Sequence, residues 1–250
     1  MGTEKLSQIL KAALIAGVAA GLALGLFHFL FTEPLIDRAM ALESEAAHAG
    51  PFSREVQKVM LLVGSGLYGL VVGAIFAFAF GLLERRLPGH RPHVKAMLLA
   101  GVLWWSLGLL TQLKYPAILP GGGDAETIYI RQAFLIGFAV LSILAVVVAW
   151  LVYHLLGKSA NAGLQRRRSS IAIFLYAIVM ALGFTLMPSN PRVGPATDDM
   201  VRGMLILTLV GQALFWVVLG GVSGLLLRRH ENEPKLNRGE MTPGRQFGAP

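Results

Sequence analysis

Cysteine is absent from this 250-residue chain, and charge is scarce: only 14% of its residues are Asp, Glu, Lys or Arg. The first absence excludes disulfides, thiolate-ligated zinc and thiolate-ligated iron–sulfur clusters, while leaving the compartment open. The second sets the chain apart from ordinary soluble domains. Chemistry-bearing motifs are missing as well. There is no His-Glu-x-x-His, no Gly-x-Ser-x-Gly and no convincing nucleophile–base pair, so the chain does not read as an enzyme. Gly121-Gly122-Gly123 is followed by Asp124 instead of Lys-Ser/Thr, and no strand precedes it, which excludes a nucleotide-binding loop. Ten-residue alternation of apolar and polar positions is also lacking, which argues against a membrane barrel.

What the chain has in quantity is apolar sequence, 55% of its residues, with a mean hydropathy of +0.63. It is gathered into six runs, near residues 10–31, 59–83, 96–113, 133–156, 171–187 and 203–227. At about 1.5 Å per helical residue, each can cross roughly 30 Å of hydrocarbon. The expected fold is an all-α integral membrane protein, a six-helix transmembrane bundle forming one domain over residues 1–230. The first run has Lys5 and Lys11 before it but no small-residue cleavage pattern after it, so it reads as a retained anchor. Residues 231–250, polar and containing Pro and Gly, read as a disordered cytoplasmic tail.

The formal charge of +8 invites a nucleic-acid reading, but its distribution points to topology. With the N-terminus placed in the cytoplasm, 15 of the 22 basic and 5 of the 14 acidic residues fall on the inner side, leaving +10 inside and −2 outside. Lys/Arg bias is the orienting signal, and it predicts both termini cytoplasmic. The Arg166-Arg167-Arg168 run then reads as a topology anchor beside anionic lipid, and no nucleic-acid partner is expected.

Three outward connections carry the remaining polar chemistry. In the longest, residues 32–58, Pro34 suits the first position of a new helix, and the amphipathic stretch after it reads as lying along the membrane surface. Glu33 and Asp37 are four apart, and Glu45 and His48 three apart, which places each pair on one helix face. Glu45-x-x-His48 has the spacing of some bundle metal sites. The second loop runs Lys114-Tyr115-Pro116-Ala117 to Pro120 and the three glycines, then Asp124, Glu126 and Arg131. The third repeats that grammar with Pro188, Pro191, Pro195, Asp198-Asp199 and Arg202, so the third–fourth and fifth–sixth helices read as related hairpins. The alternative is chance similarity between two turn-forming loops.

Inside the runs, Gly17-x3-Gly21-x3-Gly25, Gly69-x3-Gly73 and Gly220-x3-Gly224 predict close helix contacts, within the chain or between copies. The few polar groups there, including His28, Ser65, Ser106, Thr111, Gln112, Ser142, His154, Thr208 and Ser223, are functional candidates by default. No carboxylate lies at mid-depth, which counts against a proton pump of the Asp/Glu-relay kind.

Glu33-Pro34-Leu35-Ile36-Asp37-Arg38-Ala39 with Glu43, then Ser53-Arg54-Glu55-Val56-Gln57, resemble the CbtA-type cobalt transporter subunits. So do Lys114-Tyr115-Pro116-Ala117 with Pro120, Gly123-Asp124, Thr127 and Arg131, and the ending with Arg202, Gln212, Trp216 and Gly220. The resemblance runs in order from the first helix to the sixth and thins at the third outward loop and the start of the fifth helix. It implies a multi-pass protein of the bacterial inner membrane that moves Co²⁺ for cobalamin synthesis, with no permanently bound cofactor. It also implies a very small single-helix companion of the CbtB type that carries histidines.

These readings converge on a permease component for a divalent transition-metal cation. The expected metal positions are Glu33, Asp37, Glu43 and Asp124, followed by His28, Glu45, His48, Asp198 and Asp199. The alternative is a non-transporting membrane scaffold or accessory subunit, in which the loop carboxylates pair with Lys114, Arg131, Arg54 and Arg202. Either can oligomerise.

Overall fold

The structure is a computed structural model that describes residues 3–42, 52–119, 125–157, 161–190 and 196–239. Among the described residues there are helices and no strands. Six helical stretches are long and apolar enough to cross a membrane: Thr3–Met40, Arg54–Leu83, Pro92–Lys114, Ile128–Leu155, Gly163–Leu186 and Asp198–Arg229. Their surfaces are apolar: Phe78 is 69% and Leu155 83% exposed, a cost no water-soluble fold would accept over so many positions. The chain is a multi-pass membrane protein.

Two of the spans are not plain α-helices. The first consists of α1 (Thr3–Phe27), a π-helical turn at His28–Thr32, and α2 (Glu33–Met40). The second span is α3 (Arg54–Leu83). The third joins α4 (Pro92–Leu103) to α5 (Leu110–Lys114) through a longer π segment at Trp104–Leu109. Then come a 3₁₀ turn at Ala125–Thr127, α6 (Ile128–Leu155), α7 (Ala162–Leu186) and α8 (Asp198–Gly239).

The first wide turn has a cause in the sequence. Pro34 has no N–H to offer residue 30, and its ring would strike that carbonyl in an α-helix. A π turn, closed by the Glu33 N–H on the His28 carbonyl, widens the helix just where the ring enters. Pro34 stands in the first turn of α2, as its N1 preference predicts, but α2 continues the first span, which runs through the π turn to Met40 without leaving helical dihedrals. Residues 231–239, assigned by composition to the tail, continue α8, and residues 240–250 lie outside the described residues.

The packing falls into two compact units. One contains the described parts of residues 1–25, 60–101 and 214–250. Its helices touch backbone to backbone. A Cβ placed on Gly17 would lie 2.2 Å from the Gly69 carbonyl oxygen, and one on Gly21 would lie 2.1 Å from that of Ser65. Gly224 is as tightly set against His93, at 2.6 Å. The glycine spacings read from the sequence are thus contacts within the chain.

The other unit contains the described parts of residues 26–59 and 102–213. Here α6 and α7 form a hairpin cored by Phe138, Ala145 and Met180, with Tyr115 packed on the same cluster. The end of α6 is closed by Arg168, which is 6% exposed and donates to the Tyr153 carbonyl while its guanidinium lies 4.4 Å from the Tyr153 ring centroid. Only Arg166 and Arg167 of that basic run are exposed; Arg168 turns inward because the last carbonyls of a helix have no partner of their own.

Candidate functional site

Both polar sites lie in the second unit. In the first, α2 presents Glu33 and Asp37 one helical turn apart, and the start of α3 presents Arg54 and Lys58 at the same spacing. The two pairs interlock. Arg54 Nη2 donates to Glu33 Oε2, and Nη2 and Nε donate to Asp37 Oδ1 at 2.7 and 3.1 Å. Lys58 Nζ donates to the other Asp37 oxygen at 2.9 Å. Gln57 accepts from Arg54 Nη1 at 3.0 Å and donates to the Phe52 carbonyl at 3.0 Å, which fixes the guanidinium from behind. Two carboxylates and two basic side chains make a lattice of zero net charge. Its members differ in access: Glu33 is 7% exposed, whereas the Asp37 side chain is 44% exposed.

The second site is a cavity of about 440 Å³ between the end of the third span and the start of the fourth. Gln112, Tyr115, Arg131, Gln132 and Asn190 supply its polar wall, and Leu135 lies on its apolar side. Tyr115 is buried; it donates to the Pro188 carbonyl at 2.7 Å, and burial pushes its phenol above the usual value, which keeps the hydroxyl a donor. Lys114 donates to the Phe184 carbonyl at 2.8 Å, near the end of α7. Gln112 Oε1 is buried and accepts no hydrogen bond from the described residues.

Of the expected metal positions, the structure brings Glu33 and Asp37 together. His28 lies in the π turn, half-buried, with Nδ1 2.8 Å from Thr32 Oγ1, so that nitrogen is already engaged. Asp198 and Asp199 open α8, both exposed. Glu43, Glu45, His48 and Asp124 lie outside the described residues, and with Asp124 goes the comparison of the two loop hairpins. Among the described residues, no three His, Asp or Glu side chains converge to hold a metal ion.

Sequence reasoning named Arg54 as an ion-pair partner but missed Lys58. The signal was present: Arg54 and Lys58 repeat the four-residue spacing of Glu33 and Asp37. It also missed both π segments, since the hydropathy of a run is unchanged by one widened turn.

A family model described as "Probable cobalt transporter subunit (CbtA)" matches residues 6–228 of the chain. No curated protein and no solved structure matches it. The match spans all six apolar helices and both polar sites.

Proposed function

We propose, for a chain that belongs to the CbtA family of probable cobalt transporter subunits, that it is the membrane-embedded permease component for a divalent transition-metal cation, cobalt foremost, supplying cobalamin synthesis. In this reading the chain lies in the bacterial inner membrane with both termini cytoplasmic. The first and second loops then face outward, and Glu33 and Asp37, with Glu43 and Asp124, collect the cation. Co²⁺ is cargo here, not a resident cofactor.

The observation that supports this reading is the interlocked lattice. Its carboxylates are preset on one helix face and paired with two tethered basic side chains, one of which is loosely held. The Lys58–Asp37 pair is 32% and 44% exposed, and such pairs are worth about 0–1 kcal/mol. A divalent cation can therefore displace Lys58 at little cost and take the oxygens it leaves. Moving two charges inward down 100 mV supplies about 4.6 kcal/mol, roughly three decades of accumulation, so no ATPase is needed for uptake. Oxygen ligands alone favour Ni²⁺ and Cu²⁺ over Co²⁺ as much as any site does. Selection for Co²⁺ then needs a defined ligand geometry, and in this reading a single-helix His-bearing companion of the CbtB type helps complete the path.

The test is radiocobalt uptake in cells stripped of other metal transporters, with this chain expressed alone and with that companion. Uptake that needs the chain and collapses in the Glu33→Gln/Asp37→Asn double variant is the expected result. A Lys58→Met variant should reach half-maximal uptake at a lower cobalt concentration, because the competing tethered cation is gone.

A second reading has an observation of its own. Glu33, Asp37 and Glu84 are each bonded to an Arg or Lys of the same chain, as a purely structural clamp requires. An accessory subunit without a pore would give uptake that ignores Lys58→Met and depends on this chain only through the amount of companion retained in the membrane.

A further inference from the structure

Hydroxyls inside membrane helices ordinarily bond back to a carbonyl one turn earlier, and several here do. Thr208 donates to the Met204 carbonyl at 2.8 Å, and Thr185 to that of Ala181 at 3.0 Å. Ser106, Ser142 and Ser223 do not. They are 1%, 0% and 0% exposed, and none of the three Oγ atoms has a partner among the described residues; Ser106 and Ser142 differ from Ser223 in lying on adjoining elements. A buried hydroxyl without a hydrogen bond costs about 1–3 kcal/mol, so two on adjoining elements call for a reason.

Their positions supply one. Ser106 lies in the π segment Trp104–Leu109, and that segment packs against α6, which carries Ser142. The Ser106 carbonyl accepts from Thr111 Oγ1 at 2.9 Å, so a side chain joins the backbone bonding of this segment. π turns of this kind put backbone oxygens out of register and recur at functional sites. Both serines also lie at matching depth below the cavity. Ser106 is six residues from Gln112 on the third span, and Ser142 is seven from Leu135 on α6, or roughly 9 and 10.5 Å along the respective helices. Seven residues is two helical turns, so Ser142 lies on the same face of α6 as the cavity-lining Leu135. Phe138, 0% exposed and meeting Tyr115 and Phe184 edge-on at 5.9 and 5.1 Å, lies between cavity and serines on α6.

We infer that Ser106, Ser142 and the backbone carbonyls of the π segment form a hydrated mid-span position, closed from the cavity by the Tyr115–Phe138–Phe184 aromatic contact. Its occupant is a divalent cation that keeps its inner waters; that assignment of cargo rests on the permease reading above. The chemistry demands retained water. The third and fourth apolar runs, 96–113 and 133–156, contain no Asp or Glu, and neutral oxygens alone do not offset stripping a divalent ion in a low-dielectric interior. Hydroxyls and carbonyls instead hold the ion's water shell, which supplies the hydrogen bonds that the two serines lack among the described residues.

The absence of native cysteine makes a direct test available, because one introduced thiol is then the only one. Ser106→Cys, Ser142→Cys and, as a control of equal burial in the other unit, Ser223→Cys are each treated in membranes with a water-soluble methanethiosulfonate, with and without Co²⁺. Only a thiolate in contact with water reacts, so the first two should label about tenfold or more faster than the control, and Co²⁺ should slow them. Unreactive thiols at both positions, with a loop Ser53→Cys fully labelled, would overturn the proposal. So would equal labelling of Ser223→Cys, which would mean general breathing of the bundle, or labelling that Co²⁺ does not slow. The same preparations are assayed for radiocobalt uptake. Labelling slowed by Co²⁺ without uptake upholds the site and sinks the permease reading, and uptake with unreactive thiols does the reverse.

Discussion

The two packing units solve the problem of holding helices together in opposite ways. In the unit built from residues 1–25, 60–101 and 214–250, glycines bring backbones into contact, and a methyl group has no room at the seam. In the unit built from residues 26–59 and 102–213, bulky rings, the Glu33–Asp37–Arg54–Lys58 lattice and two π turns do the work, and a cavity remains. Between apolar helices in lipid, van der Waals fit is the main available attraction, so close glycine packing makes a rigid frame. Polar side chains within spans are expensive, and in the permease reading proposed above the polar-walled cavity of the other unit is where a polar cargo is handled.

The sharpest break of this comparison is at Gly69, where a Cβ would lie 2.1 Å from the Gly17 carbonyl oxygen. Gly69→Leu should cost more than the roughly 1–3 kcal/mol of ordinary overpacking, because backbone cannot step aside as a side chain can. Loss of monodisperse protein on size-exclusion chromatography is the readout. Gly64→Ala and Gly101→Ala, where nothing lies within 4 Å, should be neutral or slightly stabilising in the same assay. A tolerant Gly69 would erase the contrast between the units.

Next in size is Arg54→Ala, which leaves the nearly buried Glu33 without its counter-charge. A fully buried pair broken from one side costs about 3–5 kcal/mol, and with Arg54 25% exposed about 2 kcal/mol is expected. Adding Glu33→Gln should recover a good part of it, and a double-mutant cycle on unfolding in detergent gives the coupling. Additive effects would show that the lattice is not a unit.

Smaller still is Tyr115→Phe, which deletes the 2.7 Å bond to the Pro188 carbonyl. About 0.5–1.5 kcal/mol of stability should go with it, and labelling of Ser142→Cys should speed up if the ring contact is the closure. Lys58→Met comes last for stability, at about 0–1 kcal/mol, while carrying the largest expected change in cobalt dependence of uptake. That separation of stability from transport is what distinguishes a displaceable tethered cation from a structural clamp.

Much of this was legible in the sequence. The apolar runs placed all six spans, because a helix alone in hydrocarbon must be apolar over about 20 residues wherever its neighbours lie. The small-x3-small spacings marked the seams later found at Gly17, Gly69 and Gly224, because helical period is a local property. Glu33 and Asp37 were picked out by their spacing. Pro34 was read correctly as a helix-start residue, but its effect was misjudged, since a π turn can absorb the ring without ending the span. Ser106 and Ser142 stood among the polar candidates, yet nothing local separates them from Thr208, which satisfies itself.

What the sequence determined by itself is therefore the set of spans, the sign bias of their connections and the faces along which they pack, all of which depend on residues within a turn or two of each other. The tertiary structure decided which charges meet, which hydroxyls go unbonded and where a cavity remains. Those outcomes depend on partners far along the chain: Arg54 reaches Glu33 across 21 residues, and Tyr115 reaches Pro188 across 73. No periodicity encodes such a distance, because it is fixed only when whole helices settle against one another.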